Sequence, residues 1–78
     1  MKSLREHRRE QLMSIEALAE KAGVSTKTIV ETELGRSIPK FRTIAKVSKA
    51  LGVEALEVEE FAAAVRGEDP GQAGKAAA

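Results

Sequence analysis

The chain has 78 residues, 13 Lys and Arg against 12 Asp and Glu, one histidine and no cysteine. That length allows one small domain with a single core, and the missing cysteines exclude both disulfides and a thiolate metal site. His7 alone cannot hold a metal, and no apolar run approaches the roughly 20 residues that span a bilayer.

Few aromatics and abundant Ala, Glu, Lys, Leu and Arg predict an all-helical bundle. The N-terminal Lys2, Arg5, Glu6, His7, Arg8 and Arg9 are too polar for a secretory signal, so a soluble cytoplasmic protein is expected. The small net charge hides a polarity. Residues 1–53 carry eleven basic and six acidic side chains, whereas residues 54–78 carry two basic and six acidic ones. A basic front and an acidic rear suit a protein that meets a polyanion with one face.

The first predicted helix covers residues 3–12, with Leu4, Arg8, Gln11 and Leu12 on one side. Arg8 on that otherwise apolar side needs a partner if it is buried; Glu33 is the candidate, and a solvated surface arginine is the alternative. His7, among arginines, reads as a surface or phosphate-side residue.

The next two helices share one grammar. Ser14 and Ser25 can each accept from an orphaned first-turn amide. Met13 and Val24 precede these caps and can staple to Leu18 and Ile29. Ile15, Leu18, Ala19 and Ala22 repeat at helical spacing on the first of the pair. Val24, Thr28, Ile29 and Thr32 form the face that meets it. Gly23 stands just past the first helix, where a left-handed residue is normally required. Two helices joined by so short a glycine turn cross steeply and hold the second out in front of the body.

After Gly35, the loop Arg36-Ser37-Ile38-Pro39 leads to a fourth helix over residues 40–51, stopped by Gly52. Phe41, Ile44, Ala45, Ser48 and Leu51 are expected inside it, and Arg42, Lys46 and Lys49 outside. A fifth helix is expected over residues 55–65, with Val58, Phe61, Ala62 and Val65 on one stripe and Glu54, Glu57, Glu59 and Glu60 elsewhere. Phe61 is expected to complete the core. Val58, Ala62 and Val65 either make an isologous dimer contact or pack inside one subunit. Domain bounds follow: a folded unit over residues 1–66, and a tail over residues 67–78 with no apolar side chain larger than alanine, expected to be disordered.

These residues resemble the helix-turn-helix regulators of the phage-repressor and Cro type, the XRE family. The resemblance runs from about Leu4 to Phe61. It rests on Leu18-Ala19, Gly23-Val24-Ser25, Thr28-Ile29, Glu33-Leu34-Gly35-Arg36, Pro39 and Ala50-Leu51-Gly52-Val53, in that order and spacing. It implies a compact five-helix lambda-repressor-like domain whose third helix, about residues 25–33, enters the major groove, usually as a homodimer on a two-fold operator. It also implies that Arg8 and Glu33 form a structural ion pair tying helix 1 to helix 3, and that Ala19 lets the motif helices approach. Three positions depart from the pattern: Ile15 stands for a phosphate-binding Gln, Thr32 for a larger apolar residue, and Leu12 for a glycine that commonly ends helix 1.

On the outward face of the third helix lie Thr26, Lys27, Val30 and Glu31, the expected base contacts. Lys27 can donate to guanine O6 or N7, the threonine methyl can touch a thymine methyl, and Glu31 can accept from cytosine N4. Ser25, Thr28, Arg36, Lys40 and Arg42 are the expected phosphate contacts, with amides at the starts of helices 2 and 4. The expected function is a sequence-specific regulator binding double-stranded DNA. Repression by occlusion is expected, since no effector or activation domain is legible. A protein-interaction module on the same fold is the alternative, or an antitoxin that also binds a toxin. No enzyme signature is present: neither a phosphate loop, an HExxH pair, nor a Ser/His/Asp set. No cofactor and no membrane partner are expected.

Overall fold

The computed structural model describes residues 1–67. Five α-helices follow one another: α1 (Leu4–Glu10), α2 (Ile15–Ala22), α3 (Thr26–Glu33), α4 (Phe41–Leu51) and α5 (Glu59–Val65), with a single 3-10 turn at Ala55–Glu57 before the last. No β-strand occurs among the described residues. The expected disordered tail lies outside them, apart from Gly67.

The second and third helices start as the sequence predicts, and the first, expected to include Ser3, uses that serine as a cap of the same kind. Ser3, Ser14 and Ser25 take extended backbone and accept from the amides of Glu6, Ala17 and Thr28. At Ser3 the arrangement is reciprocal, the Glu6 carboxylate accepting from the Ser3 amide at 2.9 Å. α2 ends at Gly23, whose φ of 74° lets the Val24 amide turn back to the Ala19 carbonyl at 3.0 Å. That closure fixes the α2–α3 turn. α2 packs against both α3 and α4, and α1 packs against α3. Leu4, Leu18, Ala19, Ile29, Ile44, Val47, Leu51, Val58 and Phe61 share one core, against which Met13, Ile15 and Val24 rest.

The structure corrects five expectations. α1 stops at Glu10, and Leu12 leaves the helix with φ 59° and stands 94% exposed instead of facing inward. The α1–α2 turn needs a left-handed residue there, and leucine takes that conformation at a steric cost. On α4 the buried set is Ile44, Val47, Ser48, Ala50 and Leu51, whereas Phe41 and Ala45 lie outside. Ile44, Ser48 and Leu51 are inward as expected, Val47 and Ala50 join them, and Phe41 is left outside because it opens the helix, ahead of the turns that meet the core.

The expected fifth helix breaks at Val58, which is extended (φ −104°, ψ 123°) and forms an isolated parallel bridge with Lys2. The Glu59 amide donates to the Lys2 carbonyl at 2.9 Å, and the Leu4 amide donates to the Glu60 carboxylate at 2.7 Å. Val58, Phe61 and Ala62 are wholly enclosed in the monomer. Val58 and Ala62 are therefore unavailable to a dimer partner, and of the three dimer candidates only Val65 reaches solvent. His7, expected at the surface, is buried, and its Nε2–H donates to the Glu57 carbonyl at 3.0 Å. A carbonyl only accepts, so this contact fixes the tautomer.

Candidate nucleic-acid interface

α3 is short, and its two sides have separate tasks. Ile29 and Thr32 are buried against α2 and the core. At its far end Glu33 is held by Arg8: Arg8 Nε donates to one carboxylate oxygen at 2.7 Å and Nη2 to the other at 3.1 Å. Arg8 Nη1 donates in addition to the Met13 carbonyl at 2.9 Å, in the α1–α2 turn. Both side chains of the pair are about nine-tenths enclosed. A planar guanidinium with three of its donors engaged this way fixes direction as well as distance. One side chain thus ties together the end of α1, the start of α2 and the end of α3.

The N-terminal end of α3 is set by its cap. Ser25 Oγ accepts from the Thr28 amide at 3.1 Å and lies 2.9 Å from Thr28 Oγ1, where either hydroxyl can donate. Ser25 and Thr28, both expected at phosphates, are thus first of all partners of each other. The first turn of α3 carries no acidic residue, which leaves its positive dipole end unopposed.

With α3 braced at both ends, its outer side chains face solvent. Thr26 and Lys27 are exposed, and Val30 and Glu31 are partly covered. Lys27, Thr28 and Glu31 form one wall of an open groove whose other wall is Ser37, Ile38, Pro39, Lys40 and Thr43. The loop reaches that position through Gly35, whose φ of 69° lets the Arg36 amide return to the Glu31 carbonyl at 2.9 Å. Arg36, Lys40 and Arg42 are all exposed.

Val30 belongs elsewhere. It lines a separate depression with Arg5, Ile15, Leu34 and the Arg8–Glu33 pair. The expected base contacts therefore divide between two surfaces, with Lys27 and Glu31 on one and Val30 on the other. Ser37 and Thr43 were missed by sequence reasoning, although their place beside Lys40 and Arg42 was a usable signal. Gln11 was missed as well: its Nε2 donates to the Leu51 carbonyl at 2.6 Å and satisfies the C-terminal end of α4. Nothing in a single sequence announces that pairing.

No group of three His, Cys, Asp or Glu side chains suited to a metal occurs among the described residues. No helix among them is long and apolar enough to cross a membrane.

A bihelical unit of this kind, with a braced second helix projecting from a small all-helical body, defines a helix-turn-helix domain. The comparisons agree. A family model described as helix-turn-helix matches residues 4–58. A protein of Methanothermobacter thermautotrophicus, named an uncharacterized HTH-type transcriptional regulator, is 41% identical over 54 residues, which cover 69% of this chain and 78% of the relative. No solved structure matches the chain. The chain belongs to the XRE-type helix-turn-helix family of transcriptional regulators.

Proposed function

We propose that this protein binds double-stranded DNA with α3 in the major groove and acts as a repressor by occluding its operator. The observation that carries the reading is the division of α3. Ile29, Thr32 and Glu33 anchor it to the body, while Thr26 and Lys27 are exposed and Lys27 and the half-covered Glu31 face a groove that Lys40 also lines. N-terminal residues of a recognition helix reach base edges. Thr26, Lys27 and Glu31 would read bases, and Val30 only where a strand passes over its depression. Arg36, Lys40 and Arg42, with the hydroxyls of Ser25 and Thr28, would hold phosphates. A homodimer on a two-fold operator fits so small a reading surface, with Val65 as the exposed remnant of the α5 stripe.

The test is selection of bound sites from a random DNA pool by the purified protein. Selected sites should repeat with two-fold symmetry at about one helical turn between half-sites. Lys27→Ala should change which base is preferred, whereas Arg36→Ala should weaken every site alike. A pool that returns no enriched sequence contradicts specific reading.

A second reading has its own support. Ile15, Val30 and Leu34 bring apolar side chains to one depression beside α3, a surface suited to a protein partner of an interaction module that keeps this fold without reading DNA. In that case the protein would ignore random duplex at low salt and bind its partner, and Val30→Asp would abolish that binding.

A further inference from the structure

The chain has two phenylalanines. Phe61 is wholly enclosed, as one core of this size requires, whereas Phe41 is 70% exposed. Single exposed apolar residues are ordinary, but the surroundings of this one are specific. Its chain neighbours Lys40 and Arg42 are both exposed, and Lys40 lines the groove opposite Lys27. An exposed phenyl ring flanked in the chain by two exposed cations, the first of which lines that groove, matches a surface on which apolar and anionic groups alternate at short range. The edge of a DNA strand is such a surface, with a deoxyribose between successive phosphates. A second copy of this chain fits less well, because a contact centred on Phe41 about a two-fold axis would bring Lys40 and Arg42 against their own like charges.

We infer that Phe41 is a DNA-contacting residue, its ring packed on a deoxyribose of the strand whose phosphates Lys40 and Arg42 hold. The inference rests on the DNA reading above and adds to it an apolar anchor outside α3. Such an anchor fixes how far helix α4 and its loop sit from the backbone, and so the depth of α3 in the groove. It also has an electrostatic signature. Removing a cation lowers the salt dependence of binding, because fewer counterions are released. Removing a neutral ring lowers affinity and leaves that dependence unchanged.

The experiment compares the parent protein with Phe41→Ala, Phe41→Leu and Lys40→Ala on the duplex that the parent selects from a random pool, across a range of salt. Phe41→Ala should melt as the parent does and keep its oligomeric state, yet bind about tenfold more weakly. Its slope of log affinity against log salt should equal the parent's, and Phe41→Leu should regain most of the loss. Lys40→Ala should flatten the slope by about one unit per subunit. Unchanged affinity in Phe41→Ala overturns the inference while leaving the DNA reading intact. A lowered melting point or a shifted oligomeric state that accounts for the loss also overturns it, since the ring would then be covered by protein. A parent that binds no duplex removes the DNA reading itself and this inference with it.

Discussion

Arg8→Ala should be among the most damaging single substitutions in the domain. The guanidinium donates twice to Glu33 and once to the Met13 carbonyl, and both members of the pair are about nine-tenths enclosed. Taking away one partner leaves the Glu33 carboxylate buried without its counter-charge, at a cost of about 3–5 kcal/mol. A domain of this size has roughly 3–10 kcal/mol in total, so much of the protein would unfold. Replacing both partners by apolar residues of similar volume, Arg8→Met with Glu33→Leu, removes the stranded charge. The double variant should lie within about 1–2 kcal/mol of the parent, the remainder reflecting the orphaned Met13 carbonyl. With neither Trp nor Tyr in the chain, the assay is urea unfolding followed by far-UV circular dichroism. At a slope of about 1 kcal/mol/M, Arg8→Ala should shift the midpoint by about 3–5 M. A loss under about 1 kcal/mol, the size expected of an exposed pair, would refute the claim that this contact braces α3.

Further predictions concern sites where the structure shows an uncompensated cost. Leu12→Gly relieves the left-handed leucine and should stabilise by about 1 kcal/mol, visible as a rise in melting temperature of about 5 °C. Ser48 is buried on α4 with its hydroxyl unpartnered, so Ser48→Ala should be neutral or stabilising by up to about 1 kcal/mol in the same melt. Burial raises the Glu60 carboxyl above its ordinary value and outweighs the amide of Leu4 that donates to it, with Glu59 and Glu33 adding a smaller push in the same direction. A carboxyl raised in the folded state favours folding in its neutral form. Its contribution is therefore most favourable below the ordinary glutamate range and is lost as pH rises through the raised value. Glu60→Gln should remove that decline from a plot of unfolding midpoint against pH; an unchanged plot would contradict it.

The parts of the fold that were legible in sequence are those set by local chemistry. Ser14 and Ser25 act within their own first turns, and Gly23 and Gly52 close their own helices, so all the atoms involved lie within a few residues of each other in the chain. The break at Val58 was not legible. Residues 55–65 have helical periodicity throughout, and only pairing with Lys2, more than fifty residues away, pulls Val58 into extended backbone. His7 was misplaced for the same reason, because its acceptor is the Glu57 carbonyl on the 3-10 turn created by that break. Phe41 shows a different limit: a hydrophobic stripe read along α4 cannot tell an inward residue from one at the helix mouth. In the interface, α3's outer face was legible as the complement of its buried face. The separation of Val30 from Lys27 and Glu31 was not, because the facing wall of each depression comes from other parts of the chain.

If α3's outward side chains enter duplex DNA, as proposed, they must sense it first. Titrating isotope-labelled protein with a duplex selected from a random pool, and following backbone amide shifts by NMR, tests this most directly. The largest changes should fall at Thr26, Lys27 and Glu31, with a second group at Arg36, Lys40 and Arg42. With three such cations in each subunit of a dimer, affinity should fall about a thousandfold between 50 and 200 mM salt. Shifts confined to Ile15, Val30 and Leu34, or to α5, with the outer face of α3 silent, would contradict the account.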